Sequence, residues 1–251
     1  MKFLNLFISL FFLFSNLTAL NEKQAIENSI QYPSIYLNQS SIDDVENILK
    51  GIYSPLKGFM NREEILSVIK NKRLLDGSLW PIPIFLKIDK TIADKIKKTS
   101  TATLKNETGN PIAFLKNINC FQIDNDLYLS GKLEKIKLLN SYFFSDYCFT
   151  AEEIKEKFKT KSTIGILSSD SENFPKIKNF VKDKNDHFFI PVSSHASGFE
   201  KEKAINISPN LTPVFFPAKQ LSKKNAALFY ALIFKNFGCS SIVSDKQTIL
   251  F

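Results

Sequence analysis

The chain has 251 residues, 44% hydrophobic and 23% charged. This excludes a disordered polymer and leaves room for one large or two modest cores. Lys and Arg number 33 against 25 Asp and Glu, a formal charge of +8. The lysines are scattered and no Arg-rich groove with interleaved aromatics argues for nucleic acid, so the excess reads as solvated surface.

The first 20 residues carry Lys2, an apolar run from Phe3 to Phe14, and then small and polar residues ending at Thr18-Ala19. That is the layout of a secretory or organellar leader, too short for a comfortable membrane span. The competing reading is an apolar first strand of a cytoplasmic chain. Membrane contact is expected only through this leader.

Tyr32 to Leu37 reads as an extended entry around Pro33. Ser41 then opens a helix, with Ile42, Val45, Ile48, Leu49 and Ile52 at helical spacing. Asp43 and Asp44 are expected in its first turn, where the helix dipole favours carboxylates. Gly51 suits the stop. The stretch Asn61-Arg-Glu-Glu64 is a second start signal, and its helix is expected to bury Ile65, Val68 and Ile69.

A turn follows at Asp76-Gly77. "WPIPIFLKID" reads as a strand confined by Pro81 and Pro83 to an edge or a strand start. Thr103 to Leu115 is a hairpin around "NETGN", and 127–139 is extended. Thr150-Ala-Glu-Glu153 is a capping box opening a helix to about Lys159.

Beyond Lys159 the pattern changes. "STIGIL" is a strand, Asn173–Val181 a helix, "HFFIPV" and "TPVFF" strands, "SKKNAALFYALIFKNFG" a buried helix and "SSIVSD" a closing strand. Alternating strand and helix argues for a parallel α/β sheet. The division is therefore a leader at 1–20, a strand-rich unit at 21–160, and an α/β unit at 161–251.

Cys120, Cys148 and Cys239 are far apart, with no CxxC or Cys/His metal spacing. They read as reduced and mostly buried; an exported chain admits one disulfide. No metal site is expected.

The segment from Leu37 to Asp89 resembles the amino-terminal domain of the ATP sulfurylase (sulfate adenylyltransferase) family. The family pattern G-x-F-S-P-L-x-G-F-M followed by R-L-x-D-G-x-x-W-P-I-P-I is met by Gly51, Ser54, Pro55, Leu56, Gly58, Phe59, Met60, Leu74, Asp76, Gly77, Trp80, Pro81, Ile82 and Pro83, with Tyr53 in place of Phe. "YLSGKLEKIKL", "FTAEEIKEKF" and "ALFYALIFKNFGCSSIVSD" resemble later segments. The resemblance implies a PUA-like β-barrel-type domain followed by a partial Rossmann-like nucleotidyltransferase domain. It also implies joining of ATP and sulfate into adenylyl sulfate and pyrophosphate, with oligomers common in the family.

The residues implied to do that chemistry are mostly replaced. The family signature Q-x-R-N-P-x-H-x-x-H follows the first α/β strand, where two imidazoles and an arginine donate to triphosphate and sulfate oxygens. Here Leu167 stands for Gln, Ser169 for Arg, Asp170 for Asn, Ser171 for Pro and Asn173 for the first His; Lys176 or Ile177 stands for the second. The methionine-arginine pair falls at Lys219-Gln220, and G-R-D-H-A-G at Ser244-Asp245-Lys246-Gln247. Later parts of the family's catalytic domain do not follow before Phe251.

The candidate anion- or nucleotide-binding residues are therefore Ser168, Ser169, Asn173, Lys219 and Asp245, with no catalytic residue retained. The seryl groups are also read as plain loop and cap residues, and Asp245 as a solvated strand end. His187 reads as a surface or edge residue. His195 in "SSHASG" is either an anion ligand or an ordinary loop histidine. Two functions compete: a catalytically impaired homologue with a structural, regulatory or anion-binding role, and an active sulfate adenylyltransferase using ATP and Mg²⁺.

Overall fold

The computed structural model describes residues 24–96, 99–136, 145–168, 171–217, 219, 221, 223–244 and 248–250. The leader at 1–20 lies outside them, as do Ser169, Asp170 and Asp245. Among the described residues no helix is long and apolar enough to cross a membrane.

The front half is built on a mixed sheet. A short helix α1 covers 24–29. Strand β1 (Ser34–Tyr36) lies parallel to β4 (Thr101–Lys105), which pairs antiparallel with β5 (Pro111–Ile123), and β5 in turn with β6 (Asp126–Lys135). Strands β2 (Gly58–Phe59) and β3 (Leu86–Ile88) both pair with β6. The hairpin turn between β4 and β5 is closed by Asn106 and Gly109, the latter at φ 84°, as the "NETGN" motif predicts.

Helix α2 (Gln39–Leu49) starts two residues earlier than the sequence suggests. Asn38 caps it, its side chain accepting from the Ser41 N–H at 2.9 Å. Asp43 and Asp44 therefore fall in the second turn, not the first, and the dipole argument for them lapses. Ile42, Val45 and Ile48 are buried as expected, and Gly51 closes the helix end at φ 70°. The corner after it, with a cis Ser54–Pro55 bond, leads into β2. There Gly58 runs so close to β6 that an added Cβ would lie 1.8 Å from the Gly131 carbonyl oxygen. Only a hydrogen fits, which gives the glycine of "SPLKGF" its physical reason.

Helix α3 (Arg62–Asn71) is capped by Asn61, which accepts from the Glu64 N–H at 2.8 Å. Ile65 and Val68 are buried, but Ile69 is 55% exposed: it lies one residue past the buried stripe, on the flank facing water. "WPIPIFLKID" is a strand only at its end, β3. Trp80, Ile82 and Ile84 are nonetheless buried, because the extended chain turns alternate side chains inward. Helix α4 (Lys90–Ile96) follows β3.

A short 3₁₀ turn at Ser145–Tyr147 and helix α5 (Ala151–Phe158) lead into the back half, and Thr150 and Glu153 form the predicted reciprocal cap. The back sheet has the order β11-β10-β7-β8-β9, with β7 (Thr163–Ile166), β8 (His187–Ser193), β9 (Leu211–Phe216), β10 (Ser241–Val243) and β11 (Thr248–Leu250). Strands β7 to β10 are parallel and β11 is an antiparallel edge. The sequence reading contained neither β11 nor α7 (Gly198–Ile205), whose amphipathic signal is weak and whose cap, Ser197 with Glu200, lies in a loop-like stretch.

The back unit is a doubly wound, Rossmann-like sheet. On one face Phe174, Ile177 and Val181 of α6 (Phe174–Val181) and Ala204 of α7 pack on Phe188, Ile190, Val192 and Phe215. On the other, Phe229, Ile233 and Phe234 of α8 (Lys223–Asn236) pack on Phe189, Val214 and Phe216. Burial on both faces explains the unbroken apolar run of β8. The α8 face is continuous with the front core: Tyr53, Trp80 and Phe229 meet edge-on with centroids 5.3, 5.7 and 6.0 Å apart. Asn236 reinforces the joint, donating to the Ile52 and Ser54 carbonyls at 2.9 and 2.8 Å.

Candidate functional site

In an open parallel sheet the natural binding crevice lies beyond the carboxyl ends of the strands, where the strand order reverses. Here β7 leads to β8 and β9 on one side, while β10 lies on its other side. The carboxyl edge therefore carries Leu167-Ser168 after β7, Ser194-His195 after β8, Lys219 after β9 and Ser244 after β10. Gly165 in β7 is required by the layer beneath: a Cβ there would lie 2.4 Å from the Phe234 ring of α8.

Two of the candidate residues meet. Asn173, at the end of the 3₁₀ turn Ser171–Asn173, donates from Nδ2 to Ser168 Oγ at 3.2 Å. It makes no side-chain cap to α6. The pair offers one hydroxyl and an amide and carries no charge.

Lys219 is engaged elsewhere. Its ammonium donates to Asp44 Oδ2 of α2 at 2.8 Å. The Asp44 side chain is 5% exposed against 23% for Lys219. Burial pushes the Asp44 carboxyl up to about 6; Lys219 pulls it down and Asp43 adds a smaller push upward. Its second oxygen, Oδ1, has no partner, nor does Asn47 Oδ1 three residues on along the same helix. Asn47 is oriented by its Nδ2, which donates to the Pro217 carbonyl at 2.9 Å. Burial also raises the Tyr53 hydroxyl well above its ordinary value, with the charge of Asp44 adding to the effect.

His195 faces the same helix. Its Nε2 lies 3.1 Å from both oxygens of Asp43. This is a specific interdomain partner, more than an ordinary loop histidine has. The side chains of His195, after β8, and Lys219, after β9, are thus each met by a carboxylate from α2.

His187 is not a surface residue. It is 5% exposed, stacked on Phe158 at 4.3 Å, and its Nε2 lies 2.9 Å from Thr212 Oγ1. Burial, with Lys161 and Lys157 nearby, lowers it to about 4, so the ring is neutral. It is a packing residue on the sheet, away from the carboxyl edge. Of the cysteines, all free, only Cys239 is fully buried, and burial pushes its thiol up to about 12. Among the described residues no group of three or more His, Cys, Asp or Glu side chains is placed to hold a metal ion.

Asp43 and Asp44 were not among the candidates read from sequence. The available signal was Asp44 standing four residues before Ile48, inside the apolar stripe of α2. A carboxylate there needs a buried partner from another element.

Residues 13–133 match the PUA-like domain family. The sulfate adenylyltransferase of Halothermothrix orenii is 23% identical over 90% of this chain and 70% of its own length. That of Saccharomyces cerevisiae is 29% identical over 84% of this chain and 50% of its own length. The chain is related to the sulfate adenylyltransferases. It spans between half and 70% of the length of these two relatives. Among solved structures, the hexameric APS kinase from Thiobacillus denitrificans shares the fold with a TM-score of 0.73 at 21% identity, over 88% of this chain and 49% of that one.

Proposed function

We propose that this chain is an ATP-sulfurylase-like protein that does not transfer adenylyl groups and has a structural or regulatory role built on anion binding at the carboxyl edge of its back sheet. The observation that carries this reading is the pairing of Lys219 with Asp44 and of His195 with Asp43. Adenylyl transfer is mainly a matter of positioning a triphosphate and neutralising its charge. At this edge the Lys219 ammonium and the His195 ring face carboxylates of the chain itself, the Lys201 ammonium is held by the Ser194 carbonyl, and Ser168 with Asn173 adds only neutral dipoles. The replacement of a neutral amide by Asp170 acts in the same direction, since an aspartate beside a triphosphate repels it. In this reading 21–160 is the PUA-like domain, 161–251 belongs to the nucleotidyltransferase domain, and 1–20 is a leader.

The competing reading is an active sulfate adenylyltransferase using ATP and Mg²⁺, favoured by 29% identity to the yeast relative over 84% of the chain. A pyrophosphate-release assay with ATP, Mg²⁺ and sulfate separates the two. No turnover above background is expected. Sustained turnover that disappears in Lys219→Met refutes the non-catalytic reading.

A further inference from the structure

We propose that Asp43 and Asp44 are resident competitors for an external oxyanion at the His195–Lys219 edge, and that an oxyanion binding there takes Lys219 from Asp44 while the Asp44 carboxyl takes up one proton from solvent. The inference rests on the anion-binding half of the preceding reading and not on the loss of adenylyl transfer.

Three observations support it. First, the two side chains that would meet the anion are reachable and their partners are not. His195 and Lys219 side chains are 49% and 23% exposed, whereas Asp43 and Asp44 are 14% and 5% exposed. A solvent anion can approach the imidazole and the ammonium without reaching either carboxylate. Second, Lys219 can leave without dismantling the joint. The backbone two residues before it is held by Asn47 Nδ2 on the Pro217 carbonyl, so only the flexible lysyl stem has to swing.

Third, the carboxylate left behind has somewhere to put a proton. Asp44 Oδ1 and Asn47 Oδ1 are both buried acceptors without a partner, on one face of α2. The Tyr53 hydroxyl, itself buried without a partner, is the one donor facing these two acceptors, and a proton on Asp44 Oδ1 supplies a second. An ionised Asp44 stripped of Lys219 would instead be a buried, uncompensated charge, which neutralises before it persists. The breaking ion pair, the new ammonium–anion pair and the incoming proton therefore balance.

The groups facing Asp44 are Lys219 from the loop after β9, Asp43 and Asn47 from its own helix, and Tyr53 from the corner. His195, from the loop after β8, reaches it through Asp43. Since Asp44 lies at about 6, release of Lys219 becomes about tenfold harder per pH unit above that point.

Calorimetric titration with sulfate tests this, because sulfate keeps its charge throughout the range. In the wild-type chain the affinity is expected to rise about tenfold per unit as pH falls from about 8 to about 6, and to flatten below. His195→Gln keeps this slope, because the proton goes to Asp44. Asp44→Asn binds about a hundredfold tighter than wild type at about pH 8 and loses the slope, and Lys219→Met binds no sulfate. Circular dichroism checks folding of each variant; if Asp44→Asn does not fold, the slopes of wild type and His195→Gln decide. A pH-independent affinity, a slope lost in His195→Gln, Asp44→Asn binding no tighter than wild type, or no binding in any form overturns the proposal. Adenylyl turnover in the separate pyrophosphate assay would remove the non-catalytic reading and leave these slopes untouched.

Discussion

Replacing Lys219 with methionine keeps the stem and deletes the charge opposite Asp44. At the 2.8 Å separation of the pair, Coulomb's law with an effective dielectric constant of about 20 gives an attraction of about 6 kcal/mol. That figure is a ceiling the protein does not reach, because Asp44 can accept a proton. With its carboxyl at about 6, protonation at pH 7 costs only about 1 kcal/mol. The expected loss of stability is therefore about 1 kcal/mol at pH 7 and about 3 kcal/mol at pH 8, and it fades as pH falls through about 6. The wild-type sign follows from the same shift. Raised from 3.8 to about 6, Asp44 binds more protons folded than unfolded in that window, so its contribution to stability falls as pH rises through it. Asp44→Asn removes this burden and is expected to be neutral or stabilising at pH 8, and the double variant to recover most of what Lys219→Met loses. Urea unfolding followed by the fluorescence of Trp80, the single tryptophan, 1% exposed at the front–back seam, measures all four proteins. A Lys219→Met destabilisation that stays constant between pH 5 and pH 8 refutes the reasoning.

Gly165→Ala places a methyl 2.4 Å from the Phe234 ring and is expected to cost about 1–3 kcal/mol; combining it with Phe234→Leu recovers part of the loss, read as the shift in urea midpoint. His187, lowered from 6.5 to about 4 by burial, binds fewer protons folded than unfolded in that window, so stability is lost as pH falls through it. His187→Gln is expected to flatten this acid limb in a pH series of thermal melts, with little change above pH 7.

Much of the architecture was legible in the chain itself, because it is written in local chemistry. Asn61 and the Thr150–Glu153 box cap helices as their spacing dictates, and the hairpin around "NETGN" needs only its own turn residues. The alternation of strand and helix after Lys159 points to a parallel sheet, because a helical crossover returns the chain to the same end of the sheet; that β10 pairs with β7 and not β9 is not written in it. The ordered match around "SPLKGFM" pointed to the family relationship, and the packing of Gly58 on Gly131 explains why that glycine is present. Strand β11 and helix α7 escaped because each is short, and their apolar patterns are too weak to stand apart from loop.

The site was legible only as a set of replacements. The sequence places Ser168 and Asn173 after one strand and Lys219 after another, and so at one edge of a parallel sheet. It does not show that α2, 152 residues before His195 and 175 before Lys219 along the two pairings, lays Asp43 and Asp44 against them. That juxtaposition depends on the Tyr53–Trp80–Phe229 seam and the Asn236 bonds, which hold the front unit against α8. Local propensity determines elements; which distant charges become neighbours, and which carboxylate is buried deeply enough to hold a proton near neutral pH, is decided only when the two halves pack.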